Sequence, residues 1–283
     1  MMEHTLAEWV ALSGEGTMAQ AAIAEQARES EQDTQSLRAR MASRLQVMRE
    51  AVQAGLDPAL RSTSGMTGGR AALLRSRARK SWGGDFLGLA QAYALATAEL
   101  NAAMGRIVAA PTAGACGILP GCLLAAEQVR GLPEDALIDA LFVAAAVGSS
   151  VAQQASLSGA ECGCQAECGT AAAMAAAALV SLEGGSAQQC CDAAAFAIMN
   201  LLGLVCDPVG GLVEVPCVYR NVGACGVAAT AADLALSGVR CPIVPDEVIL
   251  ALKEVGEAMP ASLRETAEGG CAACASARCL CKK

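Results

Sequence analysis

Residues 171–182 read AAAMAAAALVSL, and this run decides the fold. Alanine is the strongest intrinsic helix former, and twelve residues without one charged side chain leave no face for water, so the run predicts a helix packed on all sides. It is shorter than the roughly 20 residues needed to cross a bilayer, as is the apolar stretch from Val222 to Leu236, which glycine interrupts. Both read as buried helices of a globular core. Working outward, Pro133, Glu134 and Asp135 mark a helix start with acids facing the positive end of the helix dipole, and that helix is expected to reach about Val147. Another runs through Ala193 to Leu202 and stops at Gly203, with later helices over roughly 223–237 and 246–268. Upstream, a helix follows Asp85 as far as the Gly105 region. Residues 1–60 carry apolar positions at helical spacing through Leu37, Met41, Leu45, Val47 and Met48.

Between these helices stand four glycine- or proline-rich breaks: RSTSGMTGGR (61–70), APTAGACGILPG (110–121), SLSGAECGCQAECGT (156–170) and LVCDPVGGLVEVPCVYRNVG (204–223). All four are expected to be loops. Strand-like alternation is almost absent, so the expected fold is all-α, a compact multi-helix domain with long glycine-rich loops at its site. Three regions are expected: an N-terminal helical segment (1–60), the main domain (61–270) and a cysteine-rich tail (271–283).

Composition removes several functions. The chain has 283 residues, 54% hydrophobic and 17% charged, which suits a folded core rather than a disordered chain. A net charge of −8 and 2% aromatic residues offer nucleic acid neither counterion release nor stacking platforms, so no nucleic-acid partner is expected. The opening MMEHTLAEWVALSGEG places acids where a secretory signal needs bases, so a reducing, cytoplasmic location without membrane association is expected.

Fifteen cysteines are too many for an ordinary reduced core. Two of the breaks carry the ligand candidates: Cys162, Cys164 and Cys168 in one, then Cys206 and Cys217 in the long connection. The steps of 42 residues from Cys164 to Cys206 and 11 onward to Cys217 do not match paired CxxC zinc sites, and the sole histidine is His4. Three thiolates on separate segments suit an iron-sulfur cluster with one iron left open. The competing reading treats each cysteine as a small buried hydrophobe, and that reading is kept for Cys190, Cys191, Cys225 and Cys241.

ELNAAMGRIVAAPTAGACGILPG (99–121), SGAECGCQAECGTAAAMAAAALV (158–180) and NLLGLVCDPVGGLVEVPCVYRNV (200–222) together resemble the α chain of the iron-sulfur-dependent L-serine dehydratases. Weaker likeness extends from SGMTGG near residue 64 to about Gly270. The resemblance implies a 4Fe-4S cluster held by Cys164, Cys206 and Cys217. It implies L-serine as substrate, deaminated to pyruvate and ammonia, an outcome that would feed gluconeogenesis. It also implies a separate β chain carrying a serine-rich, histidine-containing substrate motif, in a heterodimer or higher oligomer. Departures are visible: Arg70 stands where the family usually has an acid, and Cys116, Cys162 and Cys168 fill places more often held by small or apolar residues. Some relatives cap the open iron with a terminal cysteine, which here would be Cys279 or Cys281, against the alternative of a frayed tail.

Substrate binding is assigned to Thr112 and Gly114, in a glycine-rich turn able to aim backbone amides at a carboxylate, and to Thr67, Gly68 and Ser158, whose loops the resemblance favours. Each of these segments has a plainer reading as a turn. Glu161 and Glu167 flank Cys164 and would orient ligands or substrate unless they are merely exposed. No general base is evident. Pyridoxal phosphate chemistry is disfavoured, because the lysines at 80, 253, 282 and 283 lie in no convincing cofactor loop. The open alternatives are a related lyase acting on L-threonine or L-cysteine, a non-catalytic metal-binding redox sensor, and a structural helical subunit.

Overall fold

The computed structural model describes residues 4–280. The chain begins with α1 (Leu6–Ser13), α2 (Met18–Ser30) and α3 (Thr34–Gly55). Each start is set locally. Thr5 and Thr17 form capping boxes with Glu8 and Gln20, and Asp33 accepts the Ser36 amide. Asp246 adds a tertiary cap, accepting the backbone N–H groups of Leu6 at 2.8 Å and Ala7 at 2.9 Å. That contact fastens α1 to the far end of the chain, and Leu6, Trp9 and Leu45 sit fully buried in the same core as the alanine-rich helix.

Next come α4 (Arg70–Arg77), α5 (Gly84–Ala102), α6 (Ile118–Arg130), α7 (Glu134–Gln154) and the single turn α8 (Gly159–Cys162). A π-helical turn (Gln165–Gly169) leads into α9 (Thr170–Leu182), followed by α10 (Ala187–Leu201), α11 (Cys217–Leu236), α12 (Pro245–Ala258) and α13 (Ala275–Leu280). Among the described residues there is no strand, only an isolated parallel bridge between Cys206 and Arg264. The all-α expectation holds. Helix α9 is the centre: every residue from Thr170 to Val180 is buried, and α6, α7, α10 and α11 surround it. Small side chains permit this density, since helix axes approach only as closely as the residues between them allow. Gly121 shows the same constraint between α6 and α5, where a Cβ would stand 2.7 Å from the Ala90 carbonyl oxygen. Two stretches, Glu134–Gln154 and Gln165–Leu182, are long and apolar enough to cross a membrane; most of each is buried inside the protein.

Several local expectations are corrected. Residues 110–121 are not loop throughout, because α6 starts at Ile118 and includes Pro120 and Gly121. Pro120 is the third helical residue, where the backbone N–H has no partner within the helix and its loss costs nothing. Residues 156–170 are mostly helical turns, and Cys217 is the first residue of α11 rather than part of a loop. Helix α4, missed in the sequence, starts where the buried carboxylate of Glu99 accepts the amides of Arg70 and Ala71 at 3.0 and 3.1 Å. Helix α7 runs beyond Val147 to Gln154, with the Ser150 hydroxyl bonded to the carbonyls of His4 and Ala146. Helix α12 stops at Ala258, two residues before Pro260, instead of continuing to 268.

Cys190, Cys191 and Cys225 are buried, as the core reading requires, and Cys241 is half-buried. Burial pushes the thiols of Cys116 and Cys190 up to about 12. In the unfolded chain such thiols titrate near 8.5. A raised folded value means the folded state retains protons that the unfolded state has lost, so stability falls as pH rises from about 8.5 towards 12. The expected result is a lower melting temperature at pH 9.5 than at pH 7.5, recovered in part by Cys116→Ala; equal values at both pH settings would contradict it.

Candidate metal centre and substrate site

Three segments bring Cys164, Cys206 and Cys217 to one region. Cys164 follows α8 through Gly163, whose φ of +74° lies in the left-handed region. Behind it, Gln165 is fully buried; its side chain donates to the Leu252 carbonyl at 3.0 Å and accepts the Gly203 amide at 2.9 Å. Cys206 lies on an extended segment fixed from both sides, its N–H donating to Leu263 at 2.8 Å and its carbonyl accepting from Glu265 at 2.7 Å. Cys217 opens α11. The three are 2%, 3% and 6% exposed.

Their electrostatics are coupled. Burial raises the thiols of Cys206 and Cys217, the latter to about 12, and negative charge on Cys164 raises both further. Cys164 is lowered instead, first by its hydrogen bond with the Cys168 thiol, 3.3 Å between sulfurs, and then because Arg220 opposes the cost of burial. Cys168 is correspondingly raised. Burial alone would disfavour charge on Arg220, but Cys164 and Asp207 hold it charged. Its guanidinium pairs with the buried Asp207 carboxylate at 2.7 Å and donates to the Val205 carbonyl at 2.7 Å.

The turn before α6 joins this region through Asn221, which is fully buried. Its amide donates to the carbonyls of Gly114 at 2.7 Å and Cys217 at 3.0 Å, while its oxygen accepts the Gly117 amide at 2.9 Å. Thr112 donates its hydroxyl to Glu167 Oε1 at 2.8 Å. A Cβ on Gly159 would meet Glu167 Oε2 at 2.8 Å and Cys206 Sγ at 3.0 Å; one on Gly114 would meet Glu167 Oε1 at 3.1 Å. Thr112, Gly114, Glu167, Gly159 and Cys206 therefore pack together in one cluster. Ser158 borders it as the N-cap of α8, its carbonyl accepting the Cys162 amide at 2.9 Å.

Thr67 and Gly68 are engaged elsewhere. The Thr67 hydroxyl donates to Glu214 at 2.9 Å and the Gly68 amide to Glu99 at 3.0 Å, so this loop braces α5 and the approach to α11. Arg70 donates to the Tyr219 hydroxyl and to the Met66 carbonyl, on the same outer face. Glu161 is exposed and bonded to Ser156, whereas Glu167 is half-buried. Sequence reasoning missed Arg220, Asp207 and Asn221, although the RN and CDP motifs containing them were in view; it also missed the pairing of Cys168 with Cys164. The tail folds back. The Cys271 amide donates to Asp207 at 2.5 Å, while Cys274 and Cys279 are exposed and Cys281 lies outside the described residues.

Among the described residues no three Cys, His, Asp or Glu side chains converge closely enough to hold a single ion. In a cubane each cysteine binds a different iron, so its sulfurs stand farther apart than the ligands of one ion; three buried thiols on separate segments suit that larger group in chemistry and in number. His4, bonded to Glu25 and set edge-on to Trp9, belongs to the α1–α2 packing.

The sequence matches the family model described as serine dehydratase alpha chain over residues 15–272. It is 46% identical over 263 residues to the probable L-serine dehydratase, alpha chain, of Bacillus subtilis (strain 168), covering 92% of this chain and 87% of that protein. To the L-serine dehydratase, alpha chain, of Peptoniphilus asaccharolyticus it is 49% identical over 193 residues, covering 68% and 66%. L-serine dehydratase 2 of Escherichia coli (strain K12) is 48% identical over 182 residues, and the match spans only 40% of that longer protein. The match is carried by most of the chain and takes in all three buried cysteine segments; the chain belongs to the serine dehydratase alpha chain family.

Proposed function

We propose that this chain is the α chain of an L-serine ammonia-lyase, in which Cys164, Cys206 and Cys217 hold a 4Fe-4S cluster and a β chain completes the substrate site. The observation that carries this reading is the meeting of three buried, mutually sensing thiols with the polar cluster of Thr112, Gly114, Glu167 and Gly159. When bound, a cluster with one open iron supplies Lewis-acid assistance to departure of the C3 hydroxyl of serine.

The chain's own residues prepare the rest. Arg220 and the Cys168 thiol stabilise negative charge on Cys164, so one ligand is ready as thiolate. Asn221 fixes the Gly114 carbonyl and the start of α11 together, which holds the turn at 112–117 in register with Cys217. A carboxylate acceptor in that turn places the amino acid between it and the thiols. The elimination yields aminoacrylate, which hydrolyses to pyruvate and ammonia without help from the protein. No imidazole lies in the site, and the partial coverage of the longer Escherichia coli relative supports a second portion of enzyme supplying what is missing.

Anaerobic reconstitution with iron and sulfide, with and without the β chain, followed by pyruvate assay on L-serine, L-threonine and L-cysteine tests this reading. Turnover of L-serine by the α–β pair is expected, with little by α alone. Full turnover by α alone removes the need for a partner, a preference for L-threonine or L-cysteine redirects the substrate, and a chain that takes up no iron refutes the cluster. Assembly has its own signature. Cys206 and Cys217 are protonated in the empty protein, so binding releases protons and affinity rises with pH between about 6.5 and 8.5. Competition with an iron chelator across that range measures the slope; a flat profile contradicts the ligand assignment.

A further inference from the structure

We propose that Glu167 is the acceptor for the α-ammonium group of the amino-acid substrate, an inference that rests on the lyase reading above. Glu167 lies on the π-helical turn that follows Cys164. Its carboxylate is half-buried, and one oxygen is fixed by the Thr112 hydroxyl at 2.8 Å. No cation among the described residues pairs with it. The charged side chain that acts on it is Glu265, which has the same sign. A carboxylate withdrawn from water without a cation is costly, and natural structures pair such charges or use them.

The surroundings say which ligand would pair with it. Gly114 and Gly159 lie against the two carboxylate oxygens so closely that a methyl at Gly159 would touch Oε2 at 2.8 Å. The same methyl would stand 3.0 Å from Cys206 Sγ, so Glu167 Oε2 and a thiol assigned to the cluster approach one another across Gly159. Among the other carboxylates near the thiols, Glu265 included, Asp207 is already neutralised by Arg220 at 2.7 Å and by the Cys271 amide at 2.5 Å. A zwitterionic amino acid whose hydroxyl faces the cysteine region and whose carboxylate meets the 112–117 turn presents its ammonium group as the remaining charge. Glu167 is the unpaired anion placed to receive it. Burial first and then Glu265 raise its pKa, and a bound ammonium group would reverse that shift.

The test compares two ligands on the reconstituted α–β enzyme: L-serine, and 3-hydroxypropionate, which is serine without its amino group. Binding is read from the ligand-induced change in the cluster spectrum and from competitive inhibition. In Glu167→Gln, L-serine binding is expected to weaken about 10- to 100-fold, the range for losing a charged hydrogen bond, while 3-hydroxypropionate binds as in the parent. Glu167→Asp should recover part of the loss. Unchanged serine binding, or an equal loss for both ligands, overturns the proposal. Should Glu167→Gln fail to take up iron, Thr112→Val, which only frees the carboxylate to move, carries the same comparison: a selective loss for L-serine supports the assignment and a parallel loss refutes it. Absence of serine turnover by the parent enzyme would instead refute the lyase reading, so the two failures are distinct.

Discussion

Replacing Cys206 with serine is expected to abolish iron uptake and to lower serine turnover by more than about 100-fold, the upper range seen when only an outer partner of a metal ligand is lost. Cys206 is 3% exposed and fixed by backbone bonds on both sides, so the substituted hydroxyl would occupy the same place without the soft sulfur that iron-sulfur chemistry requires. The competing reading, in which Cys206 is one more buried core thiol, predicts something different. A misplaced buried hydroxyl costs about 1–3 kcal/mol of stability and leaves iron content alone. Cys190→Ser is the matched control, since Cys190 is equally buried but lies on α10, on none of the segments that carry Cys164, Cys206 and Cys217. Iron and sulfide analysis beside thermal melting separates the readings: Cys206→Ser should lose metal, and Cys190→Ser only stability. Equal iron content in both would end the ligand assignment for Cys206.

The second large effect is structural. Arg220→Met is expected to destabilise the folded chain by about 3 kcal/mol or more, because it strips the cation from a buried pair. Asp207 is 2% exposed, and its remaining partner is the single amide of Cys271. Equilibrium denaturation should show the loss, and Arg220→Met combined with Asp207→Asn should recover most of it, since the isolated charge is then gone. A change below about 1 kcal/mol in the single variant would show that Asp207 is rehydrated instead of stranded. A separate readout follows from Cys164. Without Arg220 its thiolate loses a favourable charge, so cluster assembly in the variant should need higher pH than in the parent. Persistence of the parent pH profile would mean that the Cys168 thiol alone sustains the Cys164 thiolate.

The tail shows a contact that a local reading does not reach. The family resemblance singled out Cys279 and Cys281 as the thiols that would cap an open iron. In the fold, it is the Cys271 backbone that reaches Asp207, beside the extended segment of Cys206, while the side chains of Cys271 and Cys279 are both exposed. Gly270, with φ of +57°, makes this approach possible, because any Cβ there would run into the Asp207 side chain. Nothing in GGCAACASARCLCKK distinguishes Cys271 from the other thiols before the chain has folded. The pairing of Cys164 with Cys168 was legible in principle, since residues four apart share a helical face, but the glycines around them read as a loop and hid that periodicity.

The amino-acid sequence by itself determined the helical class and the central buried helix at 171–182, and its resemblance to a known family singled out three cysteines as expected ligands. Those follow from composition and from motifs that are local or contiguous. Only the tertiary structure decided which polar groups remain free. Thr67 and Gly68 looked as suited to a substrate as Thr112 and Gly114, yet Glu214 and Glu99 engage the first two, while the second two border Glu167. The physical reason is that a polar group's availability depends on whichever partner packing brings to it, and these partners lie 31 to 147 residues away along the chain.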